Sequence, residues 1–304
     1  MDIVVCTKQK KDIFLKKNNC LVINSLDESL KESPDFALIC NETHFHISTA
    51  MQLAKNKIHF FVEKPLGDSL SGTKKLLELI KNNNLITLVG CNLRFHPCIL
   101  EINSILKKNR LGKIISVRAE NGSFLPEWHT YEDYSKGYAA KKNLGGGVVL
   151  TCIHELDYLC WLFGKVKNVI SITGKYSELN IDVEDLSLIL MQFKNEIVCE
   201  LHLDYLQKPS SRYCKIIGTK GTLFWDFFTN KIKLYDHKKG KWITILHKKN
   251  FNPNNMYIDE LNHFISHIQS NKQTMNPINE GIEILSLAIT IKNSAKSKKM
   301  EKIN

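Results

Sequence analysis

The sequence predicts a parallel α/β unit followed by an α+β unit built on a large, mostly antiparallel sheet. Three observations carry that expectation. Over the first hundred residues, short apolar runs alternate with amphipathic helical stretches, the texture of a parallel sheet covered on both faces. Beyond about Lys113, strand follows strand with short turn signals between them. Two long striped segments then close the chain, with no repeat and no low-complexity linker, so two domains are expected, 1–96 and 97–304.

The elements follow in order. Residues 3–7 and 20–23 read as strands flanking a helix. The run Phe36-Ala37-Leu38-Ile39-Cys40 reads as a buried strand, and Ile47, Ala50, Met51 and Ala54 fall on one face of the helix after it. Strands at 58–62 and 85–89 bracket an amphipathic helix at 68–83. Pro97 suits the first turn of a helix, where its missing N–H costs nothing. Alternating segments at 114–117, 186–193, 197–206, 213–217, 222–227 and 231–235 supply a sheet of six or more strands. Turns such as Lys194-Asn195-Glu196 and Gly218-Thr219-Lys220-Gly221 separate them. One helix at 148–163 interrupts the strands, and helices at 256–270 and 277–294 end the chain.

Composition narrows the function classes. A chain of 304 residues with 43% hydrophobic and 24% charged residues is globular and long enough for one large core or two modest ones. No apolar run approaches a membrane span, and the opening lacks a signal-peptide stretch, so a cytoplasmic protein is expected, with no membrane partner. The nine cysteines are scattered without a C-x-x-C pair, which argues for buried free thiols rather than disulfides or a structural zinc. No metal is expected. The net charge of +11 invites a nucleic-acid reading, but only Arg94, Arg110, Arg118 and Arg212 are arginines and the lysines are spread along the chain. The basic run at 292–302 reads as a solvated tail, and without a recognition motif no nucleic-acid partner is expected.

The chemistry-bearing residues gather at strand ends. Glu63-Lys64-Pro65 directly follows the strand at 58–62, at the carboxyl end where open α/β sheets bind ligands. A lysine there can approach a substrate hydroxyl or carbonyl, and Pro65, through a cis bond, can aim it into the cleft. Alone, such a tripeptide reads more readily as a surface turn. Its context is Asn41-Glu42-Thr43-His44-Phe45-His46 upstream, Gly90-Cys91-Asn92-Leu93-Arg94-Phe95-His96-Pro97 downstream, and Gly145-Gly146-Gly147 leading into His154-Glu155-Leu156-Asp157. His154 and Asp157 are three apart, on one helical face.

That ordered set resembles the glucose-fructose oxidoreductase / inositol dehydrogenase / MocA family over nearly the whole chain. The resemblance implies a Rossmann-type dinucleotide-binding domain, truncated at its N-terminus, followed by the α+β substrate and oligomerisation domain. It implies an oxidoreductase that moves hydride between NAD(P) and the CH–OH group of a sugar, sugar derivative or cyclitol. Lys64 matches the active-site lysine, Glu63 the cofactor-side glutamate before it, and His154 the catalytic histidine, with Asp157 beside it. Asn41, Thr43 and His46 lie in the turn that runs along the dinucleotide, although Asn41-Glu42 replaces the usual Thr-Pro, and Asn92 joins that cofactor set. Arg94, Trp128, Tyr205 and Arg212 are the substrate-side candidates, the last two within Tyr205-Leu206-Gln207-Lys208-Pro209-Ser210-Ser211-Arg212. Arg212 is a candidate fork for a carboxylate or phosphate. The family habit is a homodimer or homotetramer joined through the open sheet.

Two departures qualify these expectations. The family often places an aspartate three or four residues before the histidine, and Thr151 stands there instead. No G-x-G-x-x-G loop occurs anywhere, and Met1 aligns with the second strand of the usual unit, about thirty residues short of the ordinary start. The second strand ends in Thr7-Lys8 where an acidic residue would hold the ribose of NAD, which favours NADP while leaving NAD open. A catalytically silent relative that binds a sugar-like ligand or a protein partner is the alternative.

Overall fold

The computed structural model describes residues 2–7, 13–237 and 239–303, without the side chains of Ile13 and Phe14. Lys8, the candidate for a 2′-phosphate, lies outside the described residues. The first part runs β1 (Val4–Cys6), α1 (Ile13–Lys17), β2 (Leu21–Ile23), α2 (Leu26–Lys31), β3 (Phe36–Ile39), α3 (His46–Lys55), β4 (His59–Glu63), α4 (Thr73–Asn82) and β5 (Thr87–Gly90). All of its pairings are parallel, as the alternating texture requires. They fall into two separate sheets, β1-β2 and β3-β4-β5. In the usual doubly wound order the first strand stands between these two groups. Apolar Ile3, Leu21, Val22 and Leu38 are exposed on or beside these strands.

Within the larger parallel sheet, β5 is buried along its whole length and Phe60, Phe61 and Val62 of β4 are buried too, as a sheet covered on both faces demands. Ile47, Ala50, Leu53 and Ala54 of α3 cover one face. Phe61, Ile86, Leu88 and Phe264 form a separate apolar cluster. The β5 edge is clasped by the chain's far end. Val89 N–H donates to Asn276 O (2.8 Å), Asn276 Nδ2 donates back to Val89 O (3.0 Å), and Thr274 Oγ1 donates to Thr87 O (2.5 Å).

The second part begins with α5 (Pro97–Lys107), whose buried Cys98, Ile99, Ile102 and Ile105 form one stripe. Pro97 occupies the first turn, and His96 Nδ1 accepts from Cys98 N–H as the cap. Next come β6 (Ile114–Gly122), α6 (Val148–Thr151), α7 (His154–Phe163), β7 (Val166–Gly174), β8 (Leu186–Phe193), β9 (Val198–Asp204) and β10 (Ser211–Gly218). β11 (Gly221–Asp226), β12 (Lys231–Asp236), β13 (Lys241–His247), α8 (Asn254–Ser270), α9 (Ile278–Ser297) and β14 (Glu301–Lys302) complete the chain. A nine-stranded sheet results, ordered β13-β12-β11-β10-β6-β9-β8-β7-β14, with only β6 and β9 parallel. Its inner face carries Val117, Ala119, Val169, Ile189, Leu201, Cys214 and Ile216, all buried in the main core, which is continuous with that of the first part. Its outer face leaves Ile172, Leu188, Leu190, Val198 and Ile217 exposed.

Three expectations need correction. The helix expected at 148–163 is two helices, broken at Cys152-Ile153, so His154 opens α7 instead of sitting inside a longer helix. The helix expected from residue 68 starts at Thr73, because Gly72 turns left-handed (φ 79°) immediately before it. Of the nine free cysteines, Cys6 and Cys40 are exposed, Cys20 and Cys160 are half-buried, and the rest are buried. Among the described residues no single helix is long and apolar enough to cross a membrane.

Candidate active site

The carboxyl ends of β3, β4 and β5 share one edge of the parallel sheet, and the segments leaving them build the site. Glu63 ends β4 and Lys64 follows it, with a cis bond to Pro65. Glu63 Oε2 accepts from Lys64 N–H (3.3 Å). Gly90 of β5 permits this closeness, since a Cβ there would meet Phe61 Cζ at 2.7 Å and Glu63 Oε2 at 3.2 Å. Lys64 Nζ reaches across to the second part and donates to the Thr151 carbonyl at the end of α6 (3.0 Å). Burial opposes its ammonium, while the anionic forms of Tyr138, Cys152, Glu63 and Cys91 favour it, and the balance lies above the ordinary lysine value. Lys64 is therefore a cation at neutral pH. Burial lifts the Glu63 carboxyl above the usual range, and neighbouring Lys64 opposes that rise.

His154 stands at the start of α7, just after the Thr151 turn. Its Nδ1 is buried with no hydrogen-bond partner. Burial first, then the cations Lys64 and Arg212, hold its pKa well below the ordinary histidine value. The ring is neutral and has a lone pair to offer.

His46 Nδ1 lies 2.7 Å from Pro65 O and its Nε2 2.8 Å from Asn41 O. The buried ring staples the loop after β3 to the turn after β4, so it positions Lys64 and does not project into a cleft. Asn41 Nδ2 donates to Thr49 Oγ1 (3.2 Å). Thr43 is buried, and a Cβ on Gly145 would stand 2.8 Å from its own Cβ, so the glycine run lets the two parts close on each other here. Asn92 is buried at the start of the 3-10 turn Asn92–Phe95. Thr7 lies at the end of β1, its N–H donating to Ile23 O (3.0 Å), in the separate two-stranded sheet.

The expectation that His154 and Asp157 aim together into the cleft, with Arg94 on the substrate, does not match the side-chain pairing. Arg94 is 1% exposed and holds Asp157 bidentately (Nε–Oδ2 2.9 Å, Nη2–Oδ1 2.8 Å). Its Nη1 donates to Met275 O (2.6 Å) and Glu280 Oε2 (2.7 Å). All these donors are engaged, so Arg94 and Asp157 form a buried tie between the loop after β5, α7 and α9. Tyr205 is likewise consumed: it is fully buried, donates to Ala139 O (3.4 Å) and packs edge-on against Trp128 (5.3 Å). Trp128 Nε1 donates to Ser123 Oγ (2.8 Å).

Arg212 differs from Arg94. Its Nε donates to Glu155 Oε1 (2.6 Å), while Glu155 Oε2 accepts from Asn121 Nδ2 (3.1 Å). Arg212 lies opposite Asn121 across β10 and β6, on the face that packs α7. Its guanidinium sits 4.9 Å over Phe227, and Nη2 is buried with no partner.

A buried acid also escaped the reading of the sequence. Glu260 of α8 is 1% exposed, and its Oε1 has no hydrogen-bond partner. Burial, then Glu63 and Asp157, push its pKa up to about 9, against the pull of Arg94. Met256, Glu260 and Phe264 are the buried residues of α8, spaced by four, so an acid in a core stripe was the signal that would have found it. Among the described residues no group of three or more His, Cys, Asp or Glu side chains is placed to hold a metal ion.

Comparison with known proteins fits this layout. Residues 3–91 match a profile described as the NAD-binding Rossmann fold of the oxidoreductase family, and residues 104–304 match its C-terminal alpha/beta domain. The chain belongs to the glucose-fructose oxidoreductase / inositol dehydrogenase / MocA family. Myo-inositol 2-dehydrogenase of Thermotoga maritima is 23% identical over 88% of this chain and 80% of its own. Levoglucosan dehydrogenase of Pseudarthrobacter phenanthrenivorans is 22% identical over 66% of this chain and 57% of its own. The chain spans little more than half the length of several curated relatives it matches. Among solved structures, a levoglucosan dehydrogenase in complex with NADH superposes with a TM-score of 0.90, at 15% identity, over 99% of this chain and 90% of that one. The WlbA dehydrogenase of Bordetella pertussis, in complex with NADH and UDP-GlcNAcA, reaches 0.83 at 18% identity, over 99% and 90% of the two chains. At these identities the superpositions speak for the fold.

Proposed function

We propose that this chain is an NAD(P)-dependent oxidoreductase acting on the CH–OH group of a sugar, sugar derivative or cyclitol. The observation that carries the reading is the convergence of a lysine cation and a neutral histidine, from two different parts of the chain, at the carboxyl end of a parallel sheet. The orphaned His154 Nδ1 and the free donor capacity of Lys64 fit the nicotinamide end of a dinucleotide and a carbinol beside it. Residues for the pyrophosphate end are fewer, since the sequence has no glycine-rich loop and the parallel sheet is interrupted between β1 and β3. The nicotinamide, when bound, accepts a hydride from the carbinol carbon.

The chain's own residues manage everything else. Lys64 donates to the carbinol oxygen and stabilises the negative charge that grows on it. His154 accepts the hydroxyl proton, so the substrate loses two electrons and two hydrogens and becomes a carbonyl compound. Glu63 and Asn92, with Asn41, Thr43 and Thr7, stand on the cofactor side, and His46 positions the Lys64 turn. Residues 1–96 carry the cofactor in this scheme, and 97–304 carry substrate and subunit contacts. The relatives named above act on or bind sugars and cyclitols and include NADH complexes, which favours NAD(H) over the NADP suggested by Thr7-Lys8.

The test is a titration of the 304-residue chain with NADH and NADPH, followed by nicotinamide fluorescence. Saturable binding, weakened by Lys64→Ala, is expected. A folded chain that binds neither would favour the catalytically silent relative, a reading supported by the interrupted sheet and by Thr151.

A further inference from the structure

Two cations, Lys64 and Arg212, act on the buried His154 ring. Lys64 is an ammonium with donor capacity beyond the Thr151 carbonyl. The Arg212 guanidinium donates through Nε to Glu155 Oε1, while its Nη2 stays buried and unpartnered. Both Glu155 oxygens are committed, one to Arg212 and one to Asn121. Position 151, the last of α6, bears a threonine and adds no negative charge. A buried guanidinium donor without an acceptor is unfavourable, and the acceptor that repairs it best is an anion with planar oxygens. Phe227 stacks beneath the guanidinium, with its ring centroid 4.9 Å away, and the Glu155 bond ties Nε.

We propose that the substrate is a sugar acid, whose carboxylate is received by Arg212 Nη2 while its carbinol stands between Lys64 and His154. The proposal rests on the reading of this cleft as the substrate site. The Glu155–Arg212–Asn121 assembly then has a definite purpose. Glu155 neutralises enough of Arg212 to let it fold into the interior, and it leaves one edge of the fork for the ligand. Arg94, by contrast, is fully spent on Asp157, Met275 and Glu280 and offers a substrate nothing.

Isothermal titration of the full chain, with and without NADH, tests this using D-glucuronate and D-galacturonate against D-glucose, D-galactose and glucose 6-phosphate. A uronate is expected to bind about ten- to a hundredfold more tightly than its neutral sugar, the range for a charge-assisted hydrogen bond. Arg212→Gln should abolish that ratio. Because it also strands Glu155, the double variant Arg212→Gln/Glu155→Gln is measured beside it, with neutral-sugar affinity as the control for an intact cleft. Equal binding of uronate and neutral sugar by the natural chain overturns the proposal. So does a preference that survives in the double variant, an equal affinity for glucose 6-phosphate, or no sugar binding at all. Failure of NADH to bind while the uronate preference stands would sink the oxidoreductase reading and leave the sugar-acid site intact.

Discussion

Glu260 is an acid held in a hydrophobic stripe, and its ionisation works against the fold. Below about pH 4.5 the carboxyl is protonated in both folded and unfolded chains. Above that the unfolded chain releases its proton first, while the folded one keeps it up to about pH 9. Stability from this group is thus full at low pH and is lost as the pH rises through that window, by at most roughly 1.4 kcal/mol per unit. Glu260→Gln, which copies the neutral acid, should melt several degrees higher than the natural protein at pH 8, with the gap closing toward pH 5. Thermal melts across that range check it, and a gap independent of pH would refute the assignment. His154 is the other residue whose state matters. If it is the base, His154→Asn should lower turnover by about 10² to 10⁴ while leaving dinucleotide affinity unchanged. A change in affinity alone would make it a positioning residue.

At the scale of elements, the Arg94–Asp157 tie joins the loop after β5 to α7, and it is the kind of pair whose loss is more informative than its presence. Arg94→Met strands a buried carboxylate and should cost about 3–5 kcal/mol in urea unfolding, whereas Arg94→Met/Asp157→Leu should recover most of that. The same tie shows where the sequence stops being legible. Lys64 was visible because a short motif ends a strand, and strand ends follow from apolar runs. Arg94 and Asp157 also sit in recognisable motifs, but their partnership spans 63 positions and consumes both side chains, which local spacing does not reveal. The break at Cys152-Ile153 was hidden for a related reason. Residues 148–153 and 155–159 are all buried, so no change of apolar period marks the bend. The exception was Glu260, whose signal was present in the i, i+4 stripe of α8 and passed unread.

For the whole molecule, the nine-stranded sheet packs one face on the core and leaves Ile172 (61% exposed), Leu190 (58%) and Val198 (48%) on the other. An apolar face of this kind is what a second copy would cover, as the dimer or tetramer expected from the family resemblance would have it. Leu190→Lys/Val198→Lys should shift the protein to a monomer by analytical ultracentrifugation without altering its melting cooperativity. A natural protein already monomeric at high concentration would refute that assembly. The large sheet and its antiparallel order were readable from alternation alone, because each strand has one wet and one dry face. The division of the parallel strands into β1-β2 and β3-β4-β5 is a matter of strand pairing, which apolar runs alone do not report.

The clasp on β5 has a consequence for how the chain is made. Thr274 and Asn276, which bond the backbone of Thr87 and Val89, leave the ribosome 187 residues after the strand positions they hold. During synthesis the edge of β5 must therefore wait, unpaired and apolar, for nearly two hundred further residues. Until residues 274–276 emerge, that edge is open to pairing with another chain, the kind of surface a strand-shielding chaperone covers.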